Sequence, residues 1–133
     1  MGAGDVPSTQ KLIAIVEDDA QLAEMFHDML GSFGSWRLSV FADGQSAREQ
    51  LPELKADIIL LDIGLPNLDG VSLYKILRGH SSTKHIPIIV ISGSHDWELH
   101  RMGLHTGFLL RKPFNMHELI SIIKALLPEE REG

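Results

Sequence analysis

The sequence predicts an open α/β sheet of parallel strands, and three observations predict it. Strand-like and helix-like patterns alternate along 133 residues with no internal repeat and no low-complexity segment. Most of the strand candidates are near-continuously apolar, as parallel strands covered by helices on both faces must be. The polar residues that could do chemistry stand at the carboxyl ends of those strands, where loops leave a parallel sheet and helix N-termini arrive.

The strands are expected at residues 12–16, 37–41, 58–61, 86–91 and 108–110. A first helix should follow Asp19, because Leu22, Met25, Phe26, Met29, Leu30 and Phe33 recur at three- and four-residue spacing, with Gln21, Glu24 and Asp28 on the outer face. Met25 and Met29 therefore read as core. A second helix starts near Asp43, an N-cap residue, and buries Ala47, Leu51 and Leu54. A third follows the turn Asp69-Gly70 and buries Leu73, Ile76 and Leu77. Between the fourth and fifth strands only Trp97, Leu99 and Met102 suggest a helix, and Gly103 and Gly107 act as breakers, so this element should be short or irregular. The last helix has Asn115 and Glu118 in capping-box spacing and an inner stripe of Leu119, Ile120, Ile122, Ile123 and Leu126.

Composition narrows the classes. An apolar content of 44% in a chain of this length suits one domain with a real core. We divide it into a flexible segment 1–10, a domain 11–127 and a polar tail or linker stub 128–133. Twelve basic against 18 acidic residues leave a formal charge of −6 with no basic run, which argues against a nucleic-acid surface and for a cation or a basic protein patch. The absence of cysteine removes disulfides and thiol chemistry. The first ten residues hold no apolar run, and Val6 stands where a myristoylation motif wants Ser or Thr. The expectation is a cytoplasmic protein with no membrane segment.

Strand one ends in Glu17-Asp18-Asp19, strand three in Asp62, strand four in Ser92-Gly93-Ser94, and strand five in Arg111-Lys112-Pro113-Phe114. Each group has a plain structural reading taken alone: acids at a helix N-terminus, a turn aspartate, a loop serine, a strand end. For Asp19 the helix cap is the preferred one. Taken jointly and in this order, they resemble the receiver domain of two-component response regulators. Ile15-Val16-Glu17-Asp18-Asp19 is similar to that family's acidic pair, and the stretch from Leu61-Asp62 through Gly64, Pro66 and Asp69-Gly70 is similar to its phosphoacceptor loop. Ile91-Ser92-Gly93 and Lys112-Pro113-Phe114 supply the other two signatures, and the resemblance runs from Lys11 to about Leu127.

The resemblance implies a flavodoxin-like, doubly wound five-stranded sheet in the order 2-1-3-4-5, flanked by five helices. It implies phosphoryl acceptance on Asp62 from a phosphohistidine of a sensor histidine kinase or a histidine phosphotransfer protein. It also implies a metal ligand from the Gly64 backbone carbonyl and a cis bond before Pro113. Glu17, Asp18 and Asp62 gathered in one pocket would repel one another unless a hard divalent cation neutralised them, and an all-oxygen set suits Mg2+. Lys112 would meet the phosphoryl oxygens as a point charge and Ser92 as a hydroxyl donor. Such a domain is a phosphoacceptor that assists its own phosphorylation and dephosphorylation, rather than an enzyme, and signals through a downstream protein target.

In the family an aromatic three positions before the lysine follows the serine as it moves. Here that position is Leu109, with Phe108 one residue earlier. Gly64 and Ser94 fall at positions the resemblance associates with aspartyl phosphate lifetime, and Arg111 with the strand-five edge is the expected partner contact.

The alternative is a pseudo-receiver, an interaction module not regulated by phosphorylation, but such a module usually lacks one of the acids or the lysine. A magnesium-dependent phosphohydrolase using Asp62 would want a second aspartate where Gly64 stands and a cap insertion. A flavin site would want a Ser/Thr-rich loop where Glu17-Asp18-Asp19 stands. Seven histidines show no i, i+4 ligand pair and read as surface or cap residues, and Trp36 and Trp97 read as packing or rim residues.

Overall fold

The computed structural model describes residues 10–34, 36–64, 69–93, 96–104 and 108–128, less the side chains of 96 and 97. Five strands, β1 (Leu12–Val16), β2 (Arg37–Phe41), β3 (Ile58–Asp62), β4 (Ile88–Ser92) and β5 (Leu109–Arg111), alternate with five helices. The helices are α1 (Ala20–Phe33), α2 (Gly44–Leu54), α3 (Gly70–Gly79), α4 (Asp96–Arg101) and α5 (Met116–Leu126). The strands form one parallel sheet in the order β2-β1-β3-β4-β5. This is the flavodoxin-like arrangement expected of the sequence, with α4 the short element. Among the described residues no helix is long and apolar enough to cross a membrane.

Strand alternation divides the core into two layers. Ile13, Ile15, Ile58, Leu60, Ile89, Ile91 and Leu110 face α1 and α5, where Phe26, Leu30, Leu119, Ile120 and Ile123 meet them. Ala14, Val16, Ile59, Leu61, Ile88 and Val90 face α2, α3 and α4, against Ala47, Leu51, Leu73, Leu77 and Leu99. Every residue of β1, β3 and β4 is buried, while β2, at the sheet edge, leaves Val40 42% exposed.

Several sequence expectations need correction. Strand β4 begins at Ile88 instead of 86: the Ile86 N–H donates to Thr83 O at 3.0 Å in a turn, and Pro87 has no N–H to give to a ladder. Strands β3, β4 and β5 each run one residue further than expected, and β5 also starts one later. On α1, Met25 is 46% and Phe33 38% exposed. Met25 precedes the fully buried Phe26 and so lies about 100° around the helix from it, off the stripe that meets the sheet. Phe33, at the last turn, instead meets the exposed His117 ring edge-on. Met29 and Ile76 are half-buried, and α3 buries Tyr74 in addition to Leu73 and Leu77. Trp36 packs half-buried against the α1 and α5 layer, and His27, His80, His85, His100 and His117 are all exposed. Ser94, His95 and His105 lie outside the described residues, as does the Trp97 side chain.

Candidate functional site

Parallel pairing carries one residue past several strand ends, and this brings the polar groups level. The Glu17 N–H donates to Phe41 O at 2.9 Å, Ile63 N–H to Ile91 O at 3.1 Å, and Lys112 N–H to Ser92 O at 2.8 Å. Asp62 stands opposite Ile91, and Ser92 opposite Arg111. Four loops therefore leave the sheet together at its carboxyl end. They enclose an open cleft of about 410 Å³ lined by all six expected site residues, Glu17, Asp18, Asp62, Gly64, Ser92 and Lys112, with Asp19, Ile63 and Gly93 completing its walls.

The helices that follow are aimed by their caps. Asp19 at the N-cap of α1 accepts from Gln21 N–H at 2.9 Å and Leu22 N–H at 3.2 Å, so its reading as a cap holds. Its own N–H turns back and donates to Glu17 Oε2 at 3.1 Å. Asp69 caps α3, accepting from Ser72 N–H at 2.8 Å, and that bond holds its carboxyl below the usual aspartate range. Asn115 caps α5 through His117 N–H at 2.7 Å. Behind the Lys112-Pro113 peptide, which is cis, Phe114 stacks on Phe26 with ring centroids 6.0 Å apart, tying the strand-five loop to α1.

Asp62 is buried and both of its oxygens are held. Oδ2 accepts from Lys112 Nζ at 2.9 Å, and Oδ1 accepts from the Gly64 N–H at 2.9 Å. Lys112 is pulled two ways. Burial disfavours its charge, but the hydrogen bond to Asp62 and the attraction of Asp62, Glu17 and Asp18 outweigh it and raise the ammonium above the ordinary lysine value.

Ligand oxygens of Glu17, Asp18 and Asp62 all lie within 4.8 Å of one another. Asp18 is exposed, whereas Glu17 is 2% exposed, and its Oε1 is a buried oxygen with no hydrogen-bond partner. Burial first, and the adjoining Asp62 carboxyl second, push Glu17 up to about 8. A partnerless buried carboxylate oxygen beside two more acids is the donor set a hard divalent cation completes, so these residues fit Mg2+.

Two features of the site went unread in the sequence. The first is the Asp19-to-Glu17 bond, which carries no signal beyond the acidic run. The second is Gly70, taken for an ordinary turn residue, whose backbone packs directly on the chain after Asp62: its N–H donates to Ile63 O at 3.0 Å. Leu109 is half-buried on the α2, α3 and α4 side, while Phe108 packs on the opposite layer with α1 and α5, so the two neighbours face opposite sides of β5. Arg111 is exposed and, with Leu109, Lys112, Pro113 and Glu118, borders a second hollow of about 450 Å³ beside α5.

Residues 13–124 match the family model described as the response regulator receiver domain. The DNA-binding response regulator MtrA of Mycobacterium tuberculosis is 34% identical over 117 residues, 86% of this chain and 50% of that protein. The transcriptional regulatory protein GltR of Pseudomonas aeruginosa is 37% identical over 117 residues, 86% of this chain and 48% of that protein. The chain thus spans about half the length of the curated relatives it matches. Among solved structures, the receiver domain of a sensor histidine kinase from Pseudomonas aeruginosa PAO1, with a magnesium ion coordinated in its active-site cleft, superposes with a TM-score of 0.81. It is 28% identical, and the match covers 91% of this chain and 100% of that one.

Proposed function

The chain belongs to the response regulator receiver domain family, and on that premise we propose that Asp62 accepts a phosphoryl group from a phosphohistidine, with Mg2+ held by Glu17, Asp18, Asp62 and the Gly64 carbonyl. The observation that carries this reading is the state of Asp62, a buried carboxylate gripped by a lysine and an amide at the rim of an acid-lined cleft. Mg2+, when bound, offsets the charge of the three acids and of the phosphoryl oxygens.

The chain's own residues do the rest. An Asp62 oxygen forms a P–O bond as the P–N bond to the donor imidazole breaks, and the imidazole leaves with the electron pair and takes up a proton. The Lys112 ammonium has three donors, so it can hold Asp62 and a phosphoryl oxygen together. Ser92, buried at the end of β4, offers a hydroxyl to another. The product is an aspartyl phosphate, and the same residues, with water in place of the donor, assist its hydrolysis.

The receiver unit in this reading is residues 11–127, working in the cytoplasm. Its partners are a sensor histidine kinase or a histidine phosphotransfer protein upstream and a protein target downstream, met near Arg111 and the β5 edge. Phe108 and Leu109 face opposite layers, so Ser92 movement would be relayed by its loop instead of by an aromatic at Leu109.

Intact mass after incubation with acetyl phosphate and Mg2+ tests the proposal. One phosphoryl adduct is expected, lost in Asp62→Ala and with chelator. An adduct that survives Asp62→Ala would refute it.

A further inference from the structure

We infer that Gly70 is a positioning residue for the site, setting through the Ile63-Gly64 backbone where the Asp62 carboxylate and the Gly64 peptide stand. The inference rests on the reading of the cleft as a phosphoryl and Mg2+ site and adds to it a residue outside the cleft lining.

Gly70 is the first residue of α3 and is buried. A Cβ there would lie 2.5 Å from Ile63 Cα and 2.7 Å from both Asp62 O and Ile63 O. All three are backbone atoms, so no side-chain rotation relieves the clash and the chain after Asp62 must move. The present contact is also a bond, since the Gly70 N–H donates to Ile63 O at 3.0 Å. One residue on, the Gly64 N–H donates to Asp62 Oδ1 at 2.9 Å. The start of α3 therefore clamps the segment that holds one oxygen of Asp62, while Lys112 holds the other from β5. Displacing the Ile63 peptide by the few tenths of an ångström or more that a methyl demands shifts the Gly64 amide off Oδ1 and moves the Gly64 carbonyl with it.

Gly79, at the other end of the same helix, has nothing within 4 Å of a Cβ position and is the matched control. Leu77→Ala, in the α3 core, is the control for lost stability without a change at the cleft.

The experiment compares Gly70→Ala, Gly79→Ala, Leu77→Ala and wild type by Mg2+ titration calorimetry, thermal unfolding, and the Gly64 amide resonance and its hydrogen exchange by NMR. Gly70→Ala is expected to shift the Gly64 amide, to speed its exchange, and to weaken Mg2+ binding about 10- to 100-fold, the range seen when a residue that orients a metal ligand is changed. Gly79→Ala and Leu77→Ala should keep the wild-type Gly64 resonance and Mg2+ affinity, even as Leu77→Ala melts at a lower temperature. If Gly70→Ala does not fold, replacement of the Gly70 amide by an ester, which removes the N–H without adding a carbon, should move the same readouts in the same direction. A Gly64 amide unmoved in Gly70→Ala or in the ester, or a Leu77→Ala loss of affinity equal to that of Gly70→Ala, overturns the inference. Wild type without Mg2+ binding or phosphoryl acceptance would instead overturn the proposed function, and the Gly64 amide would still decide the role of Gly70.

Discussion

The two ends of the sheet both bury polar groups, and they treat them oppositely. At the amino end the polar groups close hydrogen bonds to backbone. The fully buried Thr83 donates to Leu77 O at 2.7 Å, the exposed Ser82 Oγ donates to Pro52 O at 2.9 Å, and the half-buried Asp57 accepts from the Leu12 N–H at 2.8 Å. Arg78, its guanidinium 5.3 Å from the centre of the Tyr74 ring, donates to Lys84 O and Ile86 O at 3.0 and 2.8 Å. At the carboxyl end Glu17, Asp62 and Ser92 are buried together, three carboxylates crowd one cleft, and Glu17 Oε1 is left without a partner. The amino end is built for stability, since satisfied polar groups hold a fold together. In the proposed reading the carboxyl end leaves Glu17 Oε1 unsatisfied for a cation to meet, which is where a protein gives up stability for function.

The largest effect that sharpens this contrast is expected at Lys112. Lys112→Met removes the charge that pairs with Asp62 and should slow phosphoryl acceptance by about 100-fold or more, as loss of one preorganised donor to developing charge does elsewhere. The initial rate of adduct formation by mass spectrometry reads it directly, and a rate within a factor of about three of wild type would remove Lys112 from the chemistry.

Next comes pH. Glu17 is raised to about 8 in the metal-free protein, so a cation that binds its carboxylate must displace a proton below that pH. Mg2+ affinity should therefore rise about tenfold per unit up to about pH 8 and level off above it. Calorimetry across this range checks the slope, and a flat profile would exclude Glu17 as a ligand.

The same shift carries a smaller effect on stability. Because the folded carboxyl holds its proton more tightly than the unfolded one, its contribution is fully present below the ordinary glutamate value of 4.5 and is lost as pH rises towards about 8. Metal-free wild type should lose thermal stability across that window, whereas Glu17→Gln should not. By pH 9 the variant should melt a few degrees higher, and saturating Mg2+ should cancel the difference. A variant that melts lower than wild type at pH 9 would contradict the assignment of strain to the Glu17 charge.

The smallest effect belongs to the amino end. Thr83→Val deletes the bond to Leu77 O and should lower stability by about 1 kcal/mol. Phosphoryl acceptance should be untouched. Denaturant unfolding beside the mass assay tests both halves, and a loss of acceptance in folded Thr83→Val would show that the two ends are not separable.

Much of this was readable in the chain, for reasons that differ by residue. The apolar runs at 58–61 and 86–91 and the caps Asp19, Asp43, Asp69 and Asn115 are local signals, and strand alternation with helices leaves little choice of fold. Strand ends were less legible, because Asp62 and Ser92 join β3 and β4 only through partners on neighbouring strands, Ile91 and Arg111. The exposure of Met25 and Phe33 depends on how wide a stripe of α1 the sheet and α5 cover, which helical spacing does not state. Within the site, residue types and order pointed to Glu17, Asp18, Asp62, Ser92 and Lys112, and the fold brings them to one cleft. The grip on Asp62 was not legible: the Gly64 amide and the close approach of Gly70 are backbone relations made by packing α3 against the loop, and no side chain announces them.

The central claim is that the phosphoryl group ends on the carboxylate of Asp62. Borohydride reduction of the protein after acetyl phosphate and Mg2+ treatment, followed by peptide mapping, tests it most directly, because an acyl phosphate is reduced to an alcohol and leaves homoserine at the residue that carried it. Homoserine at position 62, absent when Mg2+ is chelated, is the expected result. Homoserine at position 18 or 69 with Asp62 intact, or phosphate retained on a histidine, would contradict it.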